Sequence, residues 1–129
     1  MKKLIHATPA LIAAGLIFTF SSMEKVELPM SSLSFNDLLF HGAGYFAFGL
    51  TLLLAARPWQ GFHDPPLKVS AFLLAVGMLY ALSDEIHQGL VPNRSCSFAD
   101  FLADSIGVAI AMAGWLVYRK WARQCLNRP

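Results

Sequence analysis

Between Ser83 and Gly107 the sequence reads S-D-E-I-H-Q-G-L-V-P-N-R-S-C-S-F-A-D-F-L-A-D-S-I-G, four carboxylates, a histidine, two amides and an arginine set between two long apolar runs. Ionisable side chains beside a membrane-length apolar segment are costly to keep, and a cluster of them marks binding or proton chemistry. A second group lies upstream, in N-D-L-L-F-H-G-A-G-Y, where Asp37, His41 and Tyr45 recur every four residues and so share one helix face. Asp84, His87 and Gln88 share a face in the same way, with Glu85 about a quarter-turn away. Asp100 and Asp104 share a third face.

These residue types suit acid–base or metal-assisted work on an anionic group. His41 or Glu85 would serve as general base, with Asp84 and Asp104 as metal ligands or acid partners. Arg94 is the single cation between Asp84 and Asp104, and an arginine fork suits phosphate or carboxylate. Tyr45, Gln88, Asp37, Asp100 and His87 complete the set as candidate substrate contacts. Five of the eight acids of the chain, Asp37, Asp84, Glu85, Asp100 and Asp104, fall in this group. One arginine cannot balance them, so the site needs bound protons, ion pairs with the histidines, or a divalent cation. No H-E-x-x-H or C-x-x-C spacing singles out the ligands of such a metal.

Each residue also has a role without chemistry. Asp37 and Asp100 fit S-x-x-D capping boxes with Ser34 and Ser97, a device that starts a helix. Asp84, Glu85 and Asp104, if protonated, would tie helices together. Near the interface His87 could be simply solvated and Arg94 an anchor. His6 and His63 lie on the inner side, away from the cluster.

The elements that must position these groups follow from composition. Of 129 residues 56% are hydrophobic and only 14% charged, which excludes an ordinary soluble domain and sets an all-α membrane protein of one domain, 1–129. Four apolar runs reach the roughly 20 residues that cross a bilayer: about Leu4 to Ser22, Phe35 to Ala56, Val69 to Leu90 and Phe98 to Tyr118. The expectation is a polytopic bundle of four transmembrane helices. At 1.5 Å per residue, His41, Asp84 and Asp104 each lie about 9 Å inside the outer end of their helix, so three helices bring polar groups to one level.

The basic residues set the orientation. Lys2, Lys3, Arg57, Lys68, Arg119, Lys120, Arg123 and Arg128 fall on one side of these runs and only Lys25 and Arg94 on the other, eight against two. By the positive-inside rule both termini are cytoplasmic and the protein is a multi-pass protein of the cell membrane. The first run, long for the apolar region of a signal peptide, interrupted by Pro9 and without a clear small-x-small cleavage site, is expected to be retained. Cys96 then lies outside and Cys125 inside, so the two cannot pair within one chain. Trp59, Trp115, Tyr118 and Trp121 suit the inner interfacial belt. Gly77/Ala81, Ser105/Ala109/Ala113 and Gly107/Ala111 offer small residues four apart for close helix packing.

The segments from Pro29 and from Pro92 align without a gap. Seven positions are identical: Pro29/Pro92, Ser32/Ser95, Ser34/Ser97, Phe35/Phe98, Asp37/Asp100, Leu39/Leu102 and Gly44/Gly107. Average usage would give roughly one such match. We read two parallel helical-hairpin repeats, 1–63 and 64–129, related by an axis along the membrane normal.

At these residues the sequence resembles the VanZ-like family. Its signature is similar to the whole stretch from Ser83 to Gly107, in the order D-E-x-x-Q, P-x-R and D-x-x-x-[ND], and its companion motif to N-D-L-L-F-H-G-A-G-Y. The family's polar positions fall on Asp37, His41, Tyr45, Asp84, Glu85, Gln88, Arg94, Asp100 and Gly107. Where the family usually has Asn, this chain has Asp104, which adds a carboxylate. The resemblance implies a small polytopic membrane protein, linked through the name-giving member to teicoplanin resistance, and supplies no mechanism.

Two functions compete. One is an enzyme or headgroup-binding protein acting on an outer-leaflet lipid or lipid-linked cell-envelope precursor, with no nucleic acid as partner. The other is a non-enzymatic structural or protective module whose polar cluster fixes helix pairing. A proton- or cation-coupled carrier ranks last, because no run of polar residues continues to the inner face.

Overall fold

The computed structural model describes residues 2–24, 35–59 and 66–126. It is all-helical: α1 (Lys2–Ser21), α2 (Phe35–Ala56) with a short 3-10 turn at Arg57–Trp59, α3 (Pro66–Gln88) and α4 (Phe98–Leu126). Three of the helices, over Asp37–Ala56, Leu67–Gln88 and Phe98–Leu126, are long and apolar enough to cross a membrane. The apolar stretch of the first, Ile5–Ser21, is shorter.

Two helices differ from their expected bounds. α3 begins at Pro66, whose fixed φ and missing N–H suit the first helical position, and ends at Gln88. Asp84 therefore stands about 6 Å from its helix end rather than 9 Å. α4 runs on to Leu126 because charge ends a span but does not end a helix. At 1.5 Å per residue it is about 43 Å long, which carries Arg119, Lys120 and Arg123 past a hydrocarbon core of about 30 Å.

Polarity is inverted relative to a soluble bundle. Leu79, Phe72, Ile86, Ile106 and Val117 are among the exposed residues, whereas Asp84, Glu85, Gln88, Asp104 and Ser105 are buried. Apolar chains gain nothing by hiding from lipid, so close packing and polar contacts select what goes inside.

α2 and α4 form the most extensive pairing, parallel and nearly backbone to backbone. A Cβ at Gly107 would run into the Gly42 carbonyl oxygen, and one at Gly49 would come within 2.8 Å of the Ala111 Cβ. α3 runs antiparallel to α4 and seats Gly77 against the Val108 side chain. Thus Gly77/Ala81 and Gly107/Ala111 pack as their spacing predicts, but Ala113 is exposed and its stripe leaves the interface. Gly42 and Gly49, seven apart, are the partners that the spacing of fours did not pick out. α1 lies parallel to α3, with the Tyr80 hydroxyl donating to the Ala14 carbonyl at 2.7 Å. Trp115, Tyr118 and Trp121 form a ladder at the far end of α4, and Arg119 sits over the Trp115 ring at 5.8 Å.

Residues 29–34 of the internal similarity, Ser34 of the first capping box among them, and Lys25, Glu27, His63 and Arg128 fall outside the described residues.

Candidate functional site

The loop after α3 builds the site by turning back on itself. Gln88 and His87 accept from the Val91 and Leu90 amides, Val91 accepts from the Arg94 amide, and Asn93 takes a φ of 60°, a conformation that asparagine tolerates better than most residues. The chain then reaches Ser97 and α4. There the Ser97 hydroxyl accepts from the Asp100 amide at 3.2 Å, the first half of the expected capping box. The second half belongs to another residue: the Ser97 amide donates to Glu85 Oε2 at 2.8 Å, so Glu85 of α3 caps α4 and the Asp100 carboxylate is released from that duty.

The same turn aims Arg94 at α1. Its Nε donates to Met23 O at 2.9 Å and one terminal nitrogen donates to Phe20 O at 3.0 Å, satisfying carbonyls at the open end of that helix. The other terminal nitrogen donates to Gln88 Oε1 at 2.9 Å. Gln88 Nε2 in turn donates to Asp84 Oδ2 at 3.1 Å. A chain of charge-assisted bonds thus runs from the end of α1 through Arg94 and Gln88 to Asp84.

Between α2 and α4, His41 Nδ1 stands 3.1 Å from Asp104 Oδ1. Asp104 is fully buried and Glu85 is 1% exposed, and one ligand atom from each of His41, Glu85 and Asp104 lies within 4.8 Å of the others. Glu85 Oε1, Asp104 Oδ2, Asp100 Oδ1 and the Tyr45 hydroxyl are buried without a hydrogen-bond partner among the described residues.

His41 and Tyr45 border a cavity of about 390 Å³ at the end of the bundle where α2 and α4 begin. Ile17, Phe20 and Ser21 of α1 form one side, Phe40, His41, Gly44 and Tyr45 of α2 another, and Asp84, Gln88 and Arg94 complete it. Its volume and its mix of apolar wall with a few convergent polar groups are those of a small-ligand site. A larger groove of about 680 Å³ on the α2/α4 face is lined by Leu38, Phe46, Leu102, Ile106 and similar residues, as suits a surface facing acyl chains.

Of the residues singled out in the sequence, His41, Tyr45, Asp84, Gln88 and Arg94 line the cavity, and Glu85 and Asp104 stand beside His41. Asp37 lies in the first turn of α2. His87 is turned away: it stacks on Phe18 with ring centroids 4.7 Å apart, and its Nε2 is 2.9 Å from the Ser22 hydroxyl. Three residues at positions 84, 87 and 88 span a wide arc of a helix, and α1 occupies the arc at His87. The α1 wall was not foreseen. A signal for it existed in Tyr80, a hydroxyl in the middle of an apolar run that had to find an acceptor on a neighbouring helix.

Fold and site together define a small helical membrane protein with a cavity near one end in which a few polar side chains meet an apolar wall. The model of the VanZ/LLP1 family matches residues 5–119, and the chain belongs to that family. Neither the curated proteins nor the solved structures yield a match.

Proposed function

We propose that the chain is a multi-pass protein of the cell membrane, both termini cytoplasmic and all four helices spanning, whose outer-side pocket receives the anionic headgroup of a membrane lipid or lipid-linked envelope precursor. The observation that carries this is the cavity of about 390 Å³, in which Arg94, Gln88, Asp84 and His41 share a wall with Ile17, Phe20 and Phe40. Such a lining matches a molecule that is charged at one end and apolar at the other. The N-termini of α2 and α4, which favour anions, open at the same end. If the headgroup is processed as well as held, His41 and Glu85 are the general-base candidates, with Asp84 and Asp104 beside them.

The test is native mass spectrometry of the chain extracted in mild detergent, with H41A, E85A and R94A alongside. An anionic lipid is expected on the wild type and reduced on the variants. The reading fails if all three variants insert normally and keep the lipid. Through the family the proposal extends to teicoplanin, so the same variants are expected to change the tolerance of a host that depends on the protein.

One observation favours a second, non-enzymatic reading. Three nitrogens of Arg94 are engaged within the protein, two of them on α1 carbonyls, as a structural tie requires. That reading predicts graded loss of thermal stability in the alanine variants with lipid binding unchanged.

A further inference from the structure

We propose that His41, Glu85 and Asp104 bind a divalent first-row transition cation, with one ligand each from α2, α3 and α4. Three features of the site lead there. One ligand atom from each residue lies within 4.8 Å of the other two. Glu85 Oε1 and Asp104 Oδ2 are buried and without a partner among the described residues, on side chains that are 1% and 0% exposed, while their second oxygens are held by the Ser97 amide and by His41. Among the described residues the imidazole of His41 is the one group placed to balance them, and it carries at most one charge against two carboxylates; Arg94, the nearest cation in sequence, is directed at Gln88 and the carbonyls of Phe20 and Met23.

Two carboxylates that share a single imidazole are not fully balanced in a dry interior, and unpaired acceptors add to that cost. A divalent cation neutralises both carboxylates at once and takes a neutral imidazole as third ligand. One nitrogen and two carboxylate oxygens suit zinc, manganese or ferrous iron better than a thiolate-seeking or purely oxygen-seeking ion. Ligand atoms around such an ion stand about 3.3–3.5 Å apart, so a spacing of 4.8 Å has to close by about 1.4 Å, within the reach of side-chain rotation. His41 belongs both to this triad and to the cavity wall, so a fourth ligand reaching the ion from the cavity is an oxygen of water or of a bound anion. The inference rests on the pocket being a headgroup site only for the identity of that last ligand.

The experiment uses the full chain in mild detergent, stripped with a chelator and titrated with Co2+, read by its ligand-field absorption, with Zn2+ as competitor. One Co2+ per chain is expected, displaced by one Zn2+, with E85Q and D104N weakening uptake more than about tenfold and E24Q, an exposed acid outside the site, leaving it unchanged. In the wild type itself, pulsed EPR of bound Cu2+ is expected to show the coupling of a single imidazole, which decides the matter even where a variant fails to fold. The proposal is overturned by no stoichiometric uptake, by uptake indifferent to E85Q and D104N, or by the absence of imidazole coupling. Vesicle binding by the same protein is scored separately. Lost lipid binding with intact metal uptake removes the headgroup reading alone, and the reverse removes the cation alone.

Discussion

His41 Nδ1 and Asp104 Oδ1 meet at 3.1 Å from positions 63 residues apart, and 63 is also the offset that aligns Pro29 with Pro92 and Gly44 with Gly107. Residues at equivalent positions touch when they lie near the axis that relates two copies, so the pair supports the proposed duplication. In the chelated protein the pair is a bond between two helices that otherwise meet through glycine and alanine. A double-mutant cycle of H41A and D104N, read by unfolding in detergent, is expected to give a coupling of about 1 kcal/mol. Additive losses would show that the contact contributes nothing.

Gly107 and Gly114 lie on the same helix and should answer differently to the same change. G107A drives a methyl group into the Gly42 carbonyl and is expected to destabilise by about 3 kcal/mol, among the large effects of single substitutions. Nothing lies within 4 Å of a Cβ at Gly114, so G114A is expected to be neutral or to stabilise by up to about 1 kcal/mol. Equal melting temperatures for the two variants would contradict the backbone-to-backbone packing of α2 and α4.

The Arg94 fork holds α1 by two carbonyls that lie three residues apart, a geometry an ammonium group does not reproduce. R94K is therefore expected to behave like R94A, with α1 released and cleaved faster by protease near Met23, while R94A combined with Y80F loosens it further. Recovery of wild-type protection by R94K would mean that charge alone, not the fork, secures the helix.

Both cysteines are free and exposed, one at each end of the bundle, so they report orientation without engineering. A membrane-impermeant thiol reagent is expected to label Cys96 on intact cells and Cys125 only after permeabilisation. The opposite pattern would invert the topology and place the pocket at the cytoplasmic face.

How much of this was legible beforehand varies with the range of the interaction. α2, α3 and α4 were visible as apolar runs, because membrane length and hydropathy act locally. The shared level of His41 and Asp104 followed from helix rise alone. The role of Glu85 did not: a residue a quarter-turn from its polar neighbours becomes the cap of α4 only when the turn at Asn93 folds the chain back by twelve residues to Ser97. Arg94 was legible as a cation near acids but not as a clasp on Phe20 and Met23, more than seventy residues away, since nothing in the local pattern specifies α1 as its partner. His87 matched its neighbours in spacing and departed from them because α1 offered Phe18 and Ser22 at that angle.

The glycine seam between α2 and α4 has a mechanical corollary. With their main chains nearly abutting, those two helices act as one stiff plank, and a bulky guest has to be accommodated by movement elsewhere. α1 is the separate partition, held at its far end by Arg94 and the His87–Ser22 contact and along its length by the Tyr80 bond to Ala14. A doorway formed by its sideways swing would open into the bilayer rather than into water, so guests would arrive already dissolved in lipid.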